Sequence, residues 1–305
     1  MSVKTSTGAI HNIGYRRYDG PRLGRSEIRK AVYSQTLKGS FGIGRGVSGK
    51  LFPWFLVACS LFPALILVIV QSQMPVNPEL GPQAIIPLNH YVTFIIMVPM
   101  LYLGSQAPQA FSRDIRFKVL PLYFSRQLTA TDYVRSRLLG LWTATSAILI
   151  APLVLLYLGG LLISLPFIET TMALLAASVS VLLLTAMITV ISALIASVTP
   201  RRGLGAAAII AVLVGSFTVA QFLQAIGHVL GDEQTSVWLG VTSPVSLYDG
   251  VQNFLFQGEP FNFTSNLLIP TPSAPAGLTL LLVSIAIVCG GWALLNSRYR
   301  KVAAS

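Results

Sequence analysis

Charge is what this chain has least of. Only 10% of its 305 residues are Asp, Glu, Lys or Arg, against roughly 25% in a soluble domain, too few to cover a water-facing surface. Acids are the scarcer sign, 10 Asp+Glu against 21 Lys+Arg, for a net charge of +11. Two cysteines exclude a disulfide framework. Cys59 and Cys289 each fall well inside an apolar run and read as small buried apolar residues. His90 and His228 lie at the ends of separate apolar runs, too few and too isolated for a metal site. Apolar residues take up the space instead, at 53%. The class is an integral membrane protein.

A helix needs about 20 mostly apolar residues to cross the hydrocarbon. Six runs free of Asp, Glu, Lys and Arg reach that length: 51–78, 80–112, 138–168, 170–200, 203–231 and 260–297. Their most apolar parts are 51–70, 91–104, 138–158, 172–198, 204–225 and 278–295. The second is short, and spans only by taking in 88–90 before it and 105–110 after it. Unpaired backbone polar groups are not tolerated in lipid, so each run is expected to be helical. Prolines 53, 63, 99 and 152 should bend these helices without cancelling them.

Six spans put all 21 cations on one side. The opposite segments, about 71–88, 159–170 and 228–276, hold Glu79, Glu169, Asp232, Glu233, Asp249 and Glu259 and no cation. The positive-inside rule then makes both termini cytoplasmic in a multi-pass protein. The same distribution argues against nucleic acid, because the basic excess is what orients a membrane protein. The first 50 residues are polar with no leading apolar stretch, so no cleavable signal peptide is expected.

Residues 1–25 are Gly- and Arg-rich and read as irregular. From Ser26 a helical stretch is expected, with Ile28, Val32, Leu37 and Phe41 as apolar members and Arg29, Lys30 and Lys38 between them. A basic amphipathic helix ahead of a first span fits the inner membrane interface beside anionic lipid, and a solvated tail is the alternative. Gly44–Lys50 matches G-x-x-x-x-G-K, but Leu51 follows where a phosphate loop needs Ser or Thr. It reads as a glycine hinge with Lys50 snorkelling.

The segment 109–137 is the most informative. Phe111, Ile115, Val119 and Leu122 recur at helical spacing, with Arg113, Asp114, Arg116 and Lys118 among them. Pro121 should end or kink that helix near Leu120. Thr129-x-x-Asp132 is a capping-box pattern that starts the third long helix, leaving Arg135 and Arg137 wet. An ordinary interfacial loop helix has this pattern. So does a docking helix, with Phe111, Tyr123 and Phe124 as apolar anchors and arginines as the rim.

The segment 228–276 carries apolar patches, Val237-Trp238-Leu239 and Phe254-Leu255-Phe256, broken by Gly, Pro and Asp. A partly re-entrant hairpin and a plain outer cap both fit. Catalytic chemistry is thin. Asp232-Glu233 is the one adjacent acid pair and reads as a solvated turn, and Ser105 has no His partner to activate it. No apolar core holds an ionisable residue, whereas ion-driven transporters place such groups within the membrane. If cargo moves uphill, the energy is expected from another chain.

The order of these parts resembles the permease subunit of type-2 ATP-binding-cassette exporters. The run 111–122 is similar to the family's coupling helix, and Ser243–Tyr248 to its outer segment before the last span. Arg113 precedes Asp114 where the family often has an acid and then Arg. The stretch 10–25 is similar to permeases of actinobacteria. The resemblance implies an all-α, six-span protein of the plasma membrane. Residues 1–50 would be a cytoplasmic segment with an interfacial helix (Ile28, Arg29, Lys30, Val32, Leu37, Lys38), 51–297 the permease domain and 298–305 a cytoplasmic tail. Its coupling helix would comprise Phe111, Arg113, Asp114, Ile115, Arg116, Phe117, Val119, Leu120, Pro121, Leu122, Tyr123 and Phe124. The implied partners are cytoplasmic ATPase subunits holding ATP and magnesium, a second permease copy or an unlike permease, and the bilayer. This chain itself would bind no cofactor, and a hydrophobic or amphiphilic cargo fits its uncharged spans. Two other classes stay open: a membrane anchor or assembly subunit, and a lipid-modifying enzyme using the outer acids.

Overall fold

A computed structural model describes residues 20, 24–73, 86–124, 128–199, 201–229, 233–256 and 272–304. The chain is all-helical, with no strand among the described residues. In order the helices are α1 (Arg25–Ser40), α2 (Val47–Gln73), α3 (Leu88–Phe94), α4 (Met97–Ala107), α5 (Arg113–Arg116) and α6 (Leu120–Phe124). They continue with α7 (Ala130–Leu162), α8 (Phe167–Val198), α9 (Arg202–Val229), α10 (Glu233–Leu239), α11 (Pro244–Phe256) and α12 (Ala274–Ala304). Five of them, α2, α7, α8, α9 and α12, are long and apolar enough to cross a membrane. The chain is a multi-pass membrane protein in this sense.

The second apolar run is a broken helix. Pro99 has no N–H to offer the carbonyl of Ile95, and Val98 N–H bonds that carbonyl instead, at 2.9 Å. The ladder is interrupted at Ile95 and Ile96, where α3 ends and α4 begins. Pro108 then opens a π-helical turn, Pro108–Ser112, that leads into α5. Prolines 53, 63 and 152 lie inside continuous helices, as expected. Near Pro63, Tyr91 donates to the carbonyl of Ser60 at 2.6 Å and ties α3 to α2.

Tight crossings hold the long helices together, as in membrane bundles where small residues bring backbones close. A Cβ at Gly159 of α7 would stand 2.4 Å from Val68 of α2, and one at Gly291 of α12 would stand 2.2 Å from Val190 of α8. Buried polar bonds join α7 to α8: Ser146 and Thr185 hydroxyls are 2.8 Å apart, and Trp142 Nε1 donates to Thr185 Oγ1 at 3.1 Å. The outward faces keep large apolar side chains exposed, including Phe55, Phe62 and Leu65 on α2. Cys289 belongs to such a face, which corrects its reading as a buried residue. Cys59 is half-buried. A helix bordered by lipid has no need to bury every apolar side chain.

The chain before the last long helix folds against the bundle. Val245, Leu247, Tyr248 and Val251 of α11 are buried, and α11 packs on α8, α9 and α12. Trp238, Leu255 and Phe256 stay exposed, while Val237 is buried. Asp232 and the side chain of Glu233 lie outside the described residues, as does that of His228.

Candidate functional site

The ends of the long helices nearest Arg45, Arg113, Arg135 and Arg298 form one basic end of the bundle, where 113–124 lies. Among the described residues, the turns that close α1, α5 and α7 carry a residue in the left-handed region: Gly42, Lys118 and Ser164. At Lys118 (φ 51), Val119 N–H bonds the Asp114 carbonyl at 3.2 Å and Lys118 N–H bonds that of Ile115 at 3.2 Å. This is a Schellman closure with lysine where glycine is usual. The helix therefore stops at Arg116, short of the expected end near Leu120. Pro121 falls in the first turn of α6, where its missing N–H is harmless. Together α5, the turn and α6 make a short hairpin.

Residue by residue, the hairpin divides into an outer and an inner face. Arg113, Arg116, Phe117, Lys118, Pro121 and Leu122 are exposed, Phe117 by 63% and Leu122 by 71%. Ile115, Val119, Tyr123 and Phe124 are half-buried. Phe111, Asp114 and Leu120 are buried, which corrects the expectation that Phe111 is an exposed anchor. Phe111 sits edge-on to Tyr299 of α12, ring centres 6.2 Å apart, and Tyr299 OH donates to the Phe111 carbonyl at 3.2 Å. Tyr123 and Phe124 pack on Tyr133 of α7, at 5.5 and 6.1 Å.

Asp114 is the hub of the inner face. Its Oδ2 accepts from Arg137 Nη2 at 2.6 Å and from Tyr133 OH at 2.6 Å. Arg137 also donates to Thr36 Oγ1 of α1 at 3.3 Å, and its guanidinium lies 5.3 Å over the Tyr133 ring. Arg137 is buried, against the expectation that it stays wet, because these partners replace its water. Arg135, two residues earlier, is exposed. Ser112 Oγ donates to the Ala196 carbonyl of α8 at 2.6 Å. The hairpin base is thus bonded to α7, α8 and α12, and through Arg137 of α7 it is linked to α1.

The Thr129 capping box is present: Thr129 Oγ1 accepts from Asp132 N–H at 3.2 Å while the Asp132 carboxylate faces the Thr129 N–H at 3.4 Å. Asp132 also takes an ion pair from Arg25 at 2.5 Å, with Arg29 at 3.8 Å. These bonds dock α1 alongside α7. Val32, Thr36 and Ser40 form its buried stripe. Of the other expected interfacial residues, Ile28, Arg29 and Leu37 are half-buried and Lys30 and Lys38 exposed. The glycine hinge follows: Gly42 and Gly44 have φ of 71° and 86°, and α2 starts at Val47.

Asp249, read from the sequence only as one of the outer acids, accepts from Thr93 Oγ1 at 3.2 Å and joins α11 to α3. Its only signal was an acid within a helix whose neighbours are otherwise apolar or amide. No protein-family model matches the chain, and no curated protein matches it.

Proposed function

We propose that the chain is the permease subunit of an ATP-binding-cassette transporter, exporting a hydrophobic or amphiphilic compound with ATP hydrolysed by separate subunits. In this reading α3 and α4 together make the second of six spans, and both termini face the cytoplasm of a plasma-membrane protein. The positive-inside rule supports that orientation, since it leaves no Lys or Arg outside. Two such chains, alike or unlike, would enclose the path, and ATP and magnesium belong to the partner.

One observation carries the reading. The hairpin presents Phe117, Pro121 and Leu122 outward on a base bonded to three helices, α7, α8 and α12, through Asp114, Ser112 and Tyr299. A push on that exposed surface reaches α7 and α12 through short buried bonds and not through a loose loop. An anchor subunit uses the same surface for docking, and ATP-driven movement of cargo in vesicles separates the two.

The test is purification from native membranes followed by mass spectrometry of co-purifying chains. A nucleotide-hydrolysing subunit should accompany the wild type and be lost from Phe117→Asp with Leu122→Asp. Retention of that subunit by the double variant, or uphill transport by the chain alone, would overturn the proposal.

A further inference from the structure

Arg45 stands between two cavities at the basic end. It lies in the turn joining α1 to α2, and its side chain passes between two glycines. A Cβ at Gly49 would be 3.0 Å from its own Cβ, and one at Gly39 would be 3.5 Å from its Nη2. Its Nη1 donates to Gln109 Oε1 on the π-helical turn, and Gln109 Nε2 donates to the Ser105 carbonyl at 2.9 Å. The guanidinium is therefore placed by the hinge and held there.

On one side is a polar cavity of about 250 Å³ beneath α1, bordered by Gln35, Thr36, Gln106, Arg113 and Arg137. On the other is a larger one of about 510 Å³, whose apolar wall is Phe52, Pro53, Pro108 and Phe117 and whose rim has Arg113 and Arg116. Arg45, Gln106, Gln109 and Arg113 border both. Two side-chain atoms of residues bordering the polar cavity have no hydrogen-bond partner, the acceptor Gln106 Oε1 and the donor Arg137 Nε. Their residues are only 3% and 7% exposed, so leaving them unmatched is costly.

Among the described residues bordering the two cavities, four guanidinium groups meet one carboxylate, and Asp114 is already engaged by Arg137 and Tyr133. The excess calls for an anion, and Arg is suited to phosphate oxygens. The orphan acceptor calls for a hydroxyl on the same ligand. The apolar wall beside them, at the start of the first long apolar helix, calls for hydrocarbon.

We propose that the two cavities together bind one anionic phospholipid with a polyol headgroup. Its phosphate lies between Arg45 and Arg113, its headgroup hydroxyls reach Gln106, and an acyl chain runs along Phe52, Pro53 and Phe117. The proposal needs only that the chain sits in a membrane and stands apart from the transport reading.

The test is lipid titration of the delipidated, detergent-purified protein by native mass spectrometry. Phosphatidylglycerol should bind more tightly than phosphatidylcholine. Arg45→Gln and Arg113→Gln should each weaken it about tenfold or more, the loss of one charge-assisted hydrogen bond. Arg135→Gln removes the same charge from an exposed site bordering neither cavity and should leave binding unchanged. Equal binding of the two lipids, or equal weakening by Arg135→Gln, would overturn the site. Displacement of phosphatidylglycerol by inorganic phosphate would show a free-anion site and overturn the lipid assignment, whereas phosphatidylglycerol retained in excess inorganic phosphate supports it. If Arg45→Gln does not fold, the wild-type comparison and Arg45→Lys, expected to keep the preference, decide.

Discussion

The Arg137 guanidinium donates to the Asp114 carboxylate at 2.6 Å, from 23 residues further along the chain. Both side chains are buried, so the pair fastens the exposed hairpin to α7 without help from water. Removing one partner strands the other.

Arg137→Met should therefore destabilise the protein by about 3–5 kcal/mol, the usual cost of breaking a buried ion pair. Adding Asp114→Leu should restore most of that loss, because no charge is then left behind. Thermal unfolding in detergent checks both, and a double variant no better than the single would sink the account.

Phe111 and Phe117 differ by six positions and by their surroundings. Phe111→Ala opens a hole against Tyr299 and should cost about 3–5 kcal/mol. Phe117→Ala changes a side chain that is 63% exposed and should stay within about 0.5 kcal/mol. Comparable melting of the two variants would contradict the division of the hairpin into faces.

At Gly140, α1 lies close on α7. A Cβ there would stand 2.8 Å from Thr36 Cβ and 3.0 Å from the Tyr33 carbonyl oxygen. Gly140→Val should cost about 1–3 kcal/mol through overpacking and speed protease cutting within α1. Gly290→Val has open space and serves as the control, with unchanged cutting.

The capping box at Thr129 also receives Arg25 Nη2 at 3.0 Å. Thr129→Ala should cost about 1 kcal/mol, and Thr129→Ser should recover it. Hydrogen exchange at residues 130–132 reads the effect. Faster exchange across the whole of α7 would mean that more than its first turn depends on the cap.

Long helices were legible because lipid forbids both charge and unpaired backbone, so charge-free runs mark them directly. The break in the second run was foreshadowed by its short apolar part, but Pro99 was expected to bend that helix and instead interrupts it, because Ile95 loses its ladder partner. The start of α7 was legible in Thr129 and Asp132. Burial around 111–124 was not legible. Helical spacing groups Phe111 with Ile115 and Val119 but does not say what covers them, and the cover for Phe111 is Tyr299, 188 residues away. Asp114 and Arg137 looked like separate wet charges because only tertiary packing brings them together. Arg45 looked like one hinge cation among many until Gly39, Gly49 and Gln109 framed it.

The interruption at Ile95 and Ile96 divides the labour of the second apolar run. Above it, Tyr91 is bonded to Ser60 and Thr93 to Asp249. Below it, Ser112 is bonded to Ala196 and Asp114 to Arg137. An unbroken helix would transmit any tilt of the hairpin along its whole length as a rod does. This one has an elbow, so a tilt of its near piece need not be carried into the far piece, which is tied to α2 and α11.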